Sequence, residues 1–583
     1  MRHTRKAAVS IALGCALTLA AACSGGATTG GSGGGGGNGG GGGGGGNTKA
    51  SSGQPSGGGG GGSGKNSALT ISNEAGSLWT CGFNPFNPST TGLSIGIIYE
   101  PLMFVNALRS QDPAKPWLAT KYAWSNGNKT LTFTTRSGVK FTNGDAFGAS
   151  DVAYTFNLMK AHPALDLNAV WSVLTSVKAP NATTVVFTFK SPSVPYFYYV
   201  ADQVGIVSQK VWSQIKDPIN EKDAKPIGTG AYLMHDCTPQ NIKYTKNTSY
   251  WQPGLPKVTT VNYPAFTSND PANTYLRTGQ AQWGGQFIPN IDAFYTKGEP
   301  DHHYWFPPVS NVAIFINQKD PVLKDVAVRQ ALAYGIDRDK VSNIGEYGYE
   351  PAANQTGIVT PTFSSWLDGA AEKKWDYKYN PDKVSSILSK AGYKKSGDVW
   401  EKNGKKLEFS ILNVGGNSDW VASLQVVQQN LAKVGIKLTI DNLSGTEYGD
   451  RIFKGKYQLA YDAENGGPTP YYELRELLYS KNSAPIGQQA SSNWERFIDP
   501  NADNLLNQYA SASSTSEQQA IVKKLEAIML EQVPVIPVTE SVDWYQYDTK
   551  AFSGWVTKDD QYAQPAPYRV PDLGVVLLHL TPN

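Results

Sequence analysis

The chain has 583 residues, a net charge of +3 and 61 Gly. Twenty-five of those Gly fall within residues 23–64, in blocks without a period of three, which excludes collagen and leaves the rest with an ordinary Gly share. Arg2, Arg5 and Lys6 account for the whole positive excess, so the remainder is neutral, which argues against nucleic acid or an anionic membrane surface as main partner.

Residues 1–22 have the form of an export signal: a basic start, then the apolar run Ala7–Ala20, too short to span a bilayer comfortably. Leu19–Cys23 (LAAAC) resembles a lipobox, which implies a lipidated Cys23 anchored to the outer face of the cell membrane. An ordinary signal peptide cleaved after Ala22 is the alternative. Residues 23–67 then read as a flexible tether, because Gly, Ser and Thr cannot bury a core. Gly59…Gly64-Lys65-Asn66 falls short of a phosphate-binding loop, lacking the Ser/Thr and a preceding strand. With Cys15 removed and Cys23 acylated, Cys81 and Cys237 remain. An even pair in an exported protein predicts a disulfide; two buried free thiols are the alternative.

From Ala68 onward the pattern is α/β. Period-two alternation predicts strands over Thr130–Thr134, with Leu131 and Phe133 on one face, and over Thr183–Lys190, with Val185, Phe187 and Phe189. Between them Ser150 is the expected cap of a helix over Asp151–Lys160. Asp325 is the expected cap of a helix over Val326–Lys340, with Val328, Leu332 and Ile336 on one stripe. Residues 407–442 read as β-α-β, the helix starting at Ser418 or Asp419 and ending at Gly435. Ser514 and Glu517 have capping-box spacing ahead of a helix that Pro534 stops. No second run is long and apolar enough to cross a membrane.

Chemistry is sparse. Six His, without H-E-x-x-H or C-x-x-C, nominate no metal site, and His302-His303 suits a surface pair. No G-x-S-x-G elbow occurs, and Gly228-Thr229-Gly230 reads as a tight turn. No cofactor and no catalytic residue is expected. The unusual feature is aromatic: 15 Trp, 30 Tyr and 20 Phe, most expected in the core and a minority suited to stacking in a cleft.

Five stretches, in order, resemble the family 5 extracellular solute-binding proteins of bacterial ABC importers, the oligopeptide, dipeptide and nickel-binding group. They are Ile98–Met103 (IYEPLM), Leu131–Val152 (LTFTTRSGVKFTNGDAFGASDV), Pro226–Tyr232 (PIGTGAY), Asn247 with Tyr250-Trp251, and Asp325–Val341 (DVAVRQALAYGIDRDKV). The resemblance implies a type II periplasmic-binding fold, with two lobes built from three domains around a ligand cleft. Domain I would comprise 68–110, 223–311 and 545–583, domain II 111–222, and domain III 312–544. It implies a monomer that closes on its solute by hinge motion and passes it to an ABC permease and its ATPase, doing no chemistry itself. A lipid-anchored hydrolase is the remote alternative.

For the solute, the resemblance puts oligopeptides first. Glu464 falls where peptide-binding relatives carry an Asp that pairs with the peptide's amino group, although a solvated loop residue is the alternative. The segments around Thr91-Gly92 and Tyr461-Asp462 would pair with peptide backbone. Gly467–Pro470 and the C-terminal stretch from Gln564 look more like the cello- and manno-oligosaccharide binders of the family. On that alternative Trp283 and Trp420 are the candidate stacking rings, beside polar residues such as Asn465 and Asn417, with burial in the core as the competing role for each Trp.

Overall fold

The computed structural model describes residues 67–73, 77–512 and 514–583. Cys23 and the signal and tether up to residue 66 lie outside the described residues. Residues from Lys65 to Asn583 form one compact unit, and all that follows concerns it. Ser67, expected in the tether, is already folded: it is buried, and its carbonyl accepts from Thr259 N and Thr260 N.

Three sheets organise the chain. A seven-stranded mixed sheet has Ala68–Ser72 near its middle, parallel to Thr260–Pro264 on one side and Trp283–Gly284 on the other. A four-stranded antiparallel sheet contains Thr130–Thr135 and Thr184–Phe189, where Leu131 faces Phe187 and Phe133 faces Val185. All four side chains are buried, as their alternation predicts. The helix Ala149–Ala161 covers this face, with Phe156 edge-on to Phe187 at 4.8 Å. Its cap is not Ser150. Gly148 is the capping residue, and its N–H donates to Asp151 Oδ2 at 2.9 Å, so the helix starts earlier than the sequence implied.

The third sheet has five strands. Glu408–Val414 and Lys437–Leu443 run parallel around the helix Ser418–Lys433, and Gly435 ends that helix with φ +82°, a conformation costly for any side chain. Pro308–Ile316 lies between Leu459–Ala463 and Val535–Val542 with both faces covered, so its second half, Val312 to Ile316, is a continuous apolar run. Asp325 does cap a helix, but it ends at Tyr334, and a separate turn, Arg338–Lys340, follows Gly335. Arg329 and Arg338 are buried here and spend their guanidinium N–H groups on backbone carbonyls, among them Gln532 O and Pro537 O, with the Gln355 amide oxygen as a further acceptor for Arg338. Ser514 and Glu517 form the expected capping box of Thr515–Gln532.

The chain passes between the seven- and five-stranded sheets twice, over residues 305–307 and 543–545. The two crossings are bonded to each other: Asp543 N donates to Pro307 O, and Trp305 N to Tyr545 O. Phe306 and Trp544 meet edge to face at 4.9 Å. Two lobes therefore share a narrow, aromatic double connection. Cys81 and Cys237 are joined as a disulfide, tying the 77–83 segment to the edge strand Tyr232–Thr238.

Candidate functional site

Four of the five signature stretches converge on one buried carboxylate in the first lobe. Glu100 is fully buried and accepts from Trp117 Nε1 (2.7 Å), Thr229 Oγ1 (2.7 Å), Tyr250 OH (2.6 Å) and Trp251 Nε1 (2.9 Å). Burial raises its pKa and the four donors pull it back. Arg136, from the second stretch, donates to the Trp117 carbonyl. Gly228-Thr229-Gly230, expected as a tight turn, bends close against the first stretch. Its glycines lie against the backbone of Ile97 and Ile98, where a Cβ on Gly228 would sit 1.9 Å from the Ile98 carbonyl oxygen. The stretches that carry the resemblance thus build scaffold, away from the cleft.

The cleft itself is an open space of about 1260 Å³. One wall comes from residues 77–93, 163–172 and 219–220, the other from 414–420, 445–454 and 481–491. It exceeds the usual 300–1,000 Å³ of small-molecule sites, which suits an oligomer better than a single small solute. Its aromatic lining is held by contacts behind each ring. Trp171 receives two hydrogen bonds' worth of positioning: its backbone N–H donates to Asp166 and its Nε1 to Phe156 O at 2.7 Å, while Lys160 lies 4.6 Å from the ring centroid. Trp79 donates Nε1 to Tyr263 O at 2.8 Å. On the opposite wall Trp420 meets the edge of Tyr461 at 5.5 Å, and Phe453 packs on Trp494.

Of the residues expected in the site, Asn417, Trp420 and Asp462 line this cleft. Asp462 accepts from Tyr448 OH at 3.2 Å and from Ala463 N at 2.8 Å, and burial pushes its carboxyl up to about 7. The remaining residues lie elsewhere. Trp283 is a correction: it sits inside the seven-stranded sheet at zero exposure, donates Nε1 to Pro565 O, and stacks edge-on to Trp555. Tyr461 is also fully buried and acts as the backing of Trp420. Glu464 is neither a solvated loop residue nor part of the cleft wall. It is 3% exposed, and no donor reaches its oxygens among the described residues. Burial and the neighbouring Glu473 hold its pKa well above the ordinary range, which disfavours the anion that an amine anchor needs. Asn465 spends its N–H groups on Glu476. Thr91 and Gly92 are half-buried in the short helix Thr91–Ser94, while their neighbours Asn87 to Ser89 and Leu93 reach the cleft. Trp79, Trp171, Tyr448 and Phe453 were not foreseen, because each stands outside any motif and only the tertiary fold brings them together. His302 is likewise buried, stacked on Tyr295 at 4.3 Å, rather than a surface residue.

Behind the second wall lies a group of acids with no cation paired to them among the described residues. Glu346, Glu350 and Asp419 are all buried; their donors are Ser423 Oγ, Thr539 Oγ1 with Val542 N and, from the first lobe, Asn269 Nδ2 at 3.2 Å. Desolvation raises all three pKa values, Glu350 to about 8 and Asp419 to about 6. A second bridge between the lobes is Arg475. Its guanidinium lies 5.2 Å from the rings of Tyr196, Tyr199 and Tyr479, and its neighbour Tyr472 donates to Pro195 O.

Two lobes, a double connection and a cleft walled by both define a solute receptor. The model of the bacterial extracellular solute-binding proteins, family 5, matches residues 114–485, and the chain belongs to this family. It is 23% identical over 488 residues to the nickel-binding periplasmic protein of Escherichia coli (strain K12), covering 80% of this chain and 89% of that one. It is 26% identical over 447 residues to the glutathione-binding protein GsiB of Escherichia coli O6:K15:H31, covering 72% and 79%. Among solved structures, a mannohexaose-bound periplasmic oligopeptide-binding protein of Thermotoga maritima superposes with a TM-score of 0.82 at 24% identity, over 89% of this chain and 99% of that one. The oligopeptide-binding protein AppA of Bacillus subtilis, in complex with a nonapeptide, gives 0.76 at 19% identity, over 88% and 99%. These likenesses show the type II fold. The chain is an extracytoplasmic solute-binding protein that delivers its ligand to an ABC importer.

Proposed function

We propose that the cleft captures oligosaccharides, reversing the order in which the sequence ranks peptide and sugar. The observation that carries this is the lining. Trp79 and Trp171 on one wall and Trp420 and Phe453 on the other offer apolar platforms, while Glu464, the amine-pairing candidate, lies buried outside the wall. Aromatic platforms stack on the apolar faces of sugar rings, and Asn417, Asn482 and Asp462 in the same walls bond hydroxyls. The mannohexaose bound by the Thermotoga maritima protein shows that this fold accommodates such a solute.

Closure follows from the double connection: a solute touching both walls binds best when they approach. In this reading the protein does no chemistry, works as a monomer, and is held to the membrane by lipid on Cys23, with the three-domain division given above. Thermal-shift measurements on the described body with cello-, manno- and xylo-oligosaccharides should show stabilisation, about 2.7 kcal/mol at a hundredfold excess over Kd. Trp171→Ala and Trp420→Ala should each weaken sugar binding about tenfold. Stabilisation by a peptide pool alone sinks the sugar reading. Oligopeptides are the second reading, favoured by the Asp462 carboxyl in the wall, and Asp462→Asn would then abolish the peptide response.

A further inference from the structure

The signature stretches gathered at Glu100 leave one group unexplained. Arg136 is held at two points: its Nε donates to the Trp117 carbonyl at 2.9 Å, and its guanidinium carbon lies 4.5 Å from the centroid of Trp251. Both holding residues are themselves pinned, since Trp117 and Trp251 each donate Nε1 to Glu100. The remaining guanidinium nitrogens meet no acceptor among the described residues. They belong to a side chain lining an open pocket of about 390 Å³, whose other walls are Ser137, Gly138, Trp251, Gln252, Pro253 and Leu255. No residue lining this pocket is acidic, so the positive charge is uncompensated there. Both oxygens of Glu100 are already occupied by its four donors.

We infer that this pocket, separate from the solute cleft, is a carboxylate-binding site with Arg136 as its anchor. A planar guanidinium fixed through Nε and one face presents a fork that matches a carboxylate, and its rigidity removes most of the ordering cost. A single guanidinium fork without a second basic group suits one planar carboxylate group, such as one end of succinate, better than a phosphate. The pocket is of a size for a small organic acid or one acidic side chain. The carboxylate therefore comes either from a free organic acid or from an Asp or Glu on the importer's membrane subunit, and the inference is independent of which solute fills the cleft.

Two arms separate the sources. In the first, succinate is titrated into the wild-type chain at constant ionic strength, with neutral succinamide as control, and followed by thermal shift. In the second, the solute-loaded protein stimulates the ATPase of its reconstituted permease complex. If free acids bind, succinate and not succinamide stabilises the protein, and Arg136→Gln weakens that response at least tenfold. If the importer supplies the carboxylate, Arg136→Gln raises the concentration needed for half-maximal stimulation at least tenfold while solute binding is unchanged. Ser137→Asp, at an exposed position, places a competing carboxylate beside the guanidinium without removing its supports, and should reproduce either loss even if Arg136→Gln fails to fold. Unchanged succinate response and unchanged ATPase stimulation in Ser137→Asp, with either no succinate response or an equal one to succinamide in the wild type, would overturn the inference.

Discussion

Two buried carboxyl sites, one in each lobe, are built in opposite ways. In the first, Glu100 meets four donors, two of them indole N–H groups, and every contact is matched. In the second, Glu346, Glu350 and Asp419 share hydroxyl and amide donors, and among the described residues no cation pairs with them and Glu346 Oε2 has no partner. A matched buried acid is a rigid joint whose loss leaves donors stranded. An unmatched cluster is a store of protons whose cost depends on pH. The first arrangement holds the family's signature stretches together, and the second backs the wall that carries Trp420.

The largest test of this contrast is Glu100→Leu. Removing the carboxylate strands four buried donors and should cost at least about 3 kcal/mol in urea denaturation. A loss below 1 kcal/mol would show that the joint is not structural. Trp283→Ala belongs to the same lobe and should cost a similar amount, about 3–5 kcal/mol, without altering solute affinity, because that ring is core rather than cleft.

Next comes pH. The second-lobe acids have folded pKa values above their unfolded ones, so the folded state binds more protons. Their stabilising contribution is complete below about pH 4 and is lost as pH rises through about 6 for Asp419 and about 8 for Glu350. Denaturation midpoints should therefore fall between pH 5 and about 8, and Glu350→Gln should flatten that slope. A profile identical in wild type and Glu350→Gln would refute the proton-store description. The smallest effect is at fixed neutral pH, where Glu350→Gln should be neutral or stabilising by up to about 1 kcal/mol, because it replaces an acid that is costly to ionise.

Much of the scaffold was legible. The alternation at Leu131 and Phe133, the Ser514 capping box and the helix stop at Gly435 are local features, set by neighbours within a few residues. Where a local rule had rivals, it misled: Asp151 capping from inside its helix displaced Ser150, and Gly335 broke the Val326–Lys340 helix early. The cleft was mostly illegible for a physical reason. Trp79, Trp171, Trp420 and Phe453 are far apart in sequence, and a Trp in a core strand such as Trp283 has the same local signature as one facing solvent. Glu464 shows the limit of transferring a role by position, since its loop keeps a carboxyl but folds it away from the cleft.

The paired crossings also set an order of assembly. Residues 308–542 enter and leave the second lobe at adjacent points, so its five-stranded sheet can be completed from one uninterrupted stretch. The seven-stranded sheet of the first lobe cannot: Gln546–Asp548 must fill the place between Trp283–Gly284 and His302–Tyr304. A chain made from its N-terminus therefore completes last the lobe it began first, although its earliest strand has both partners once Trp283–Gly284 arrives.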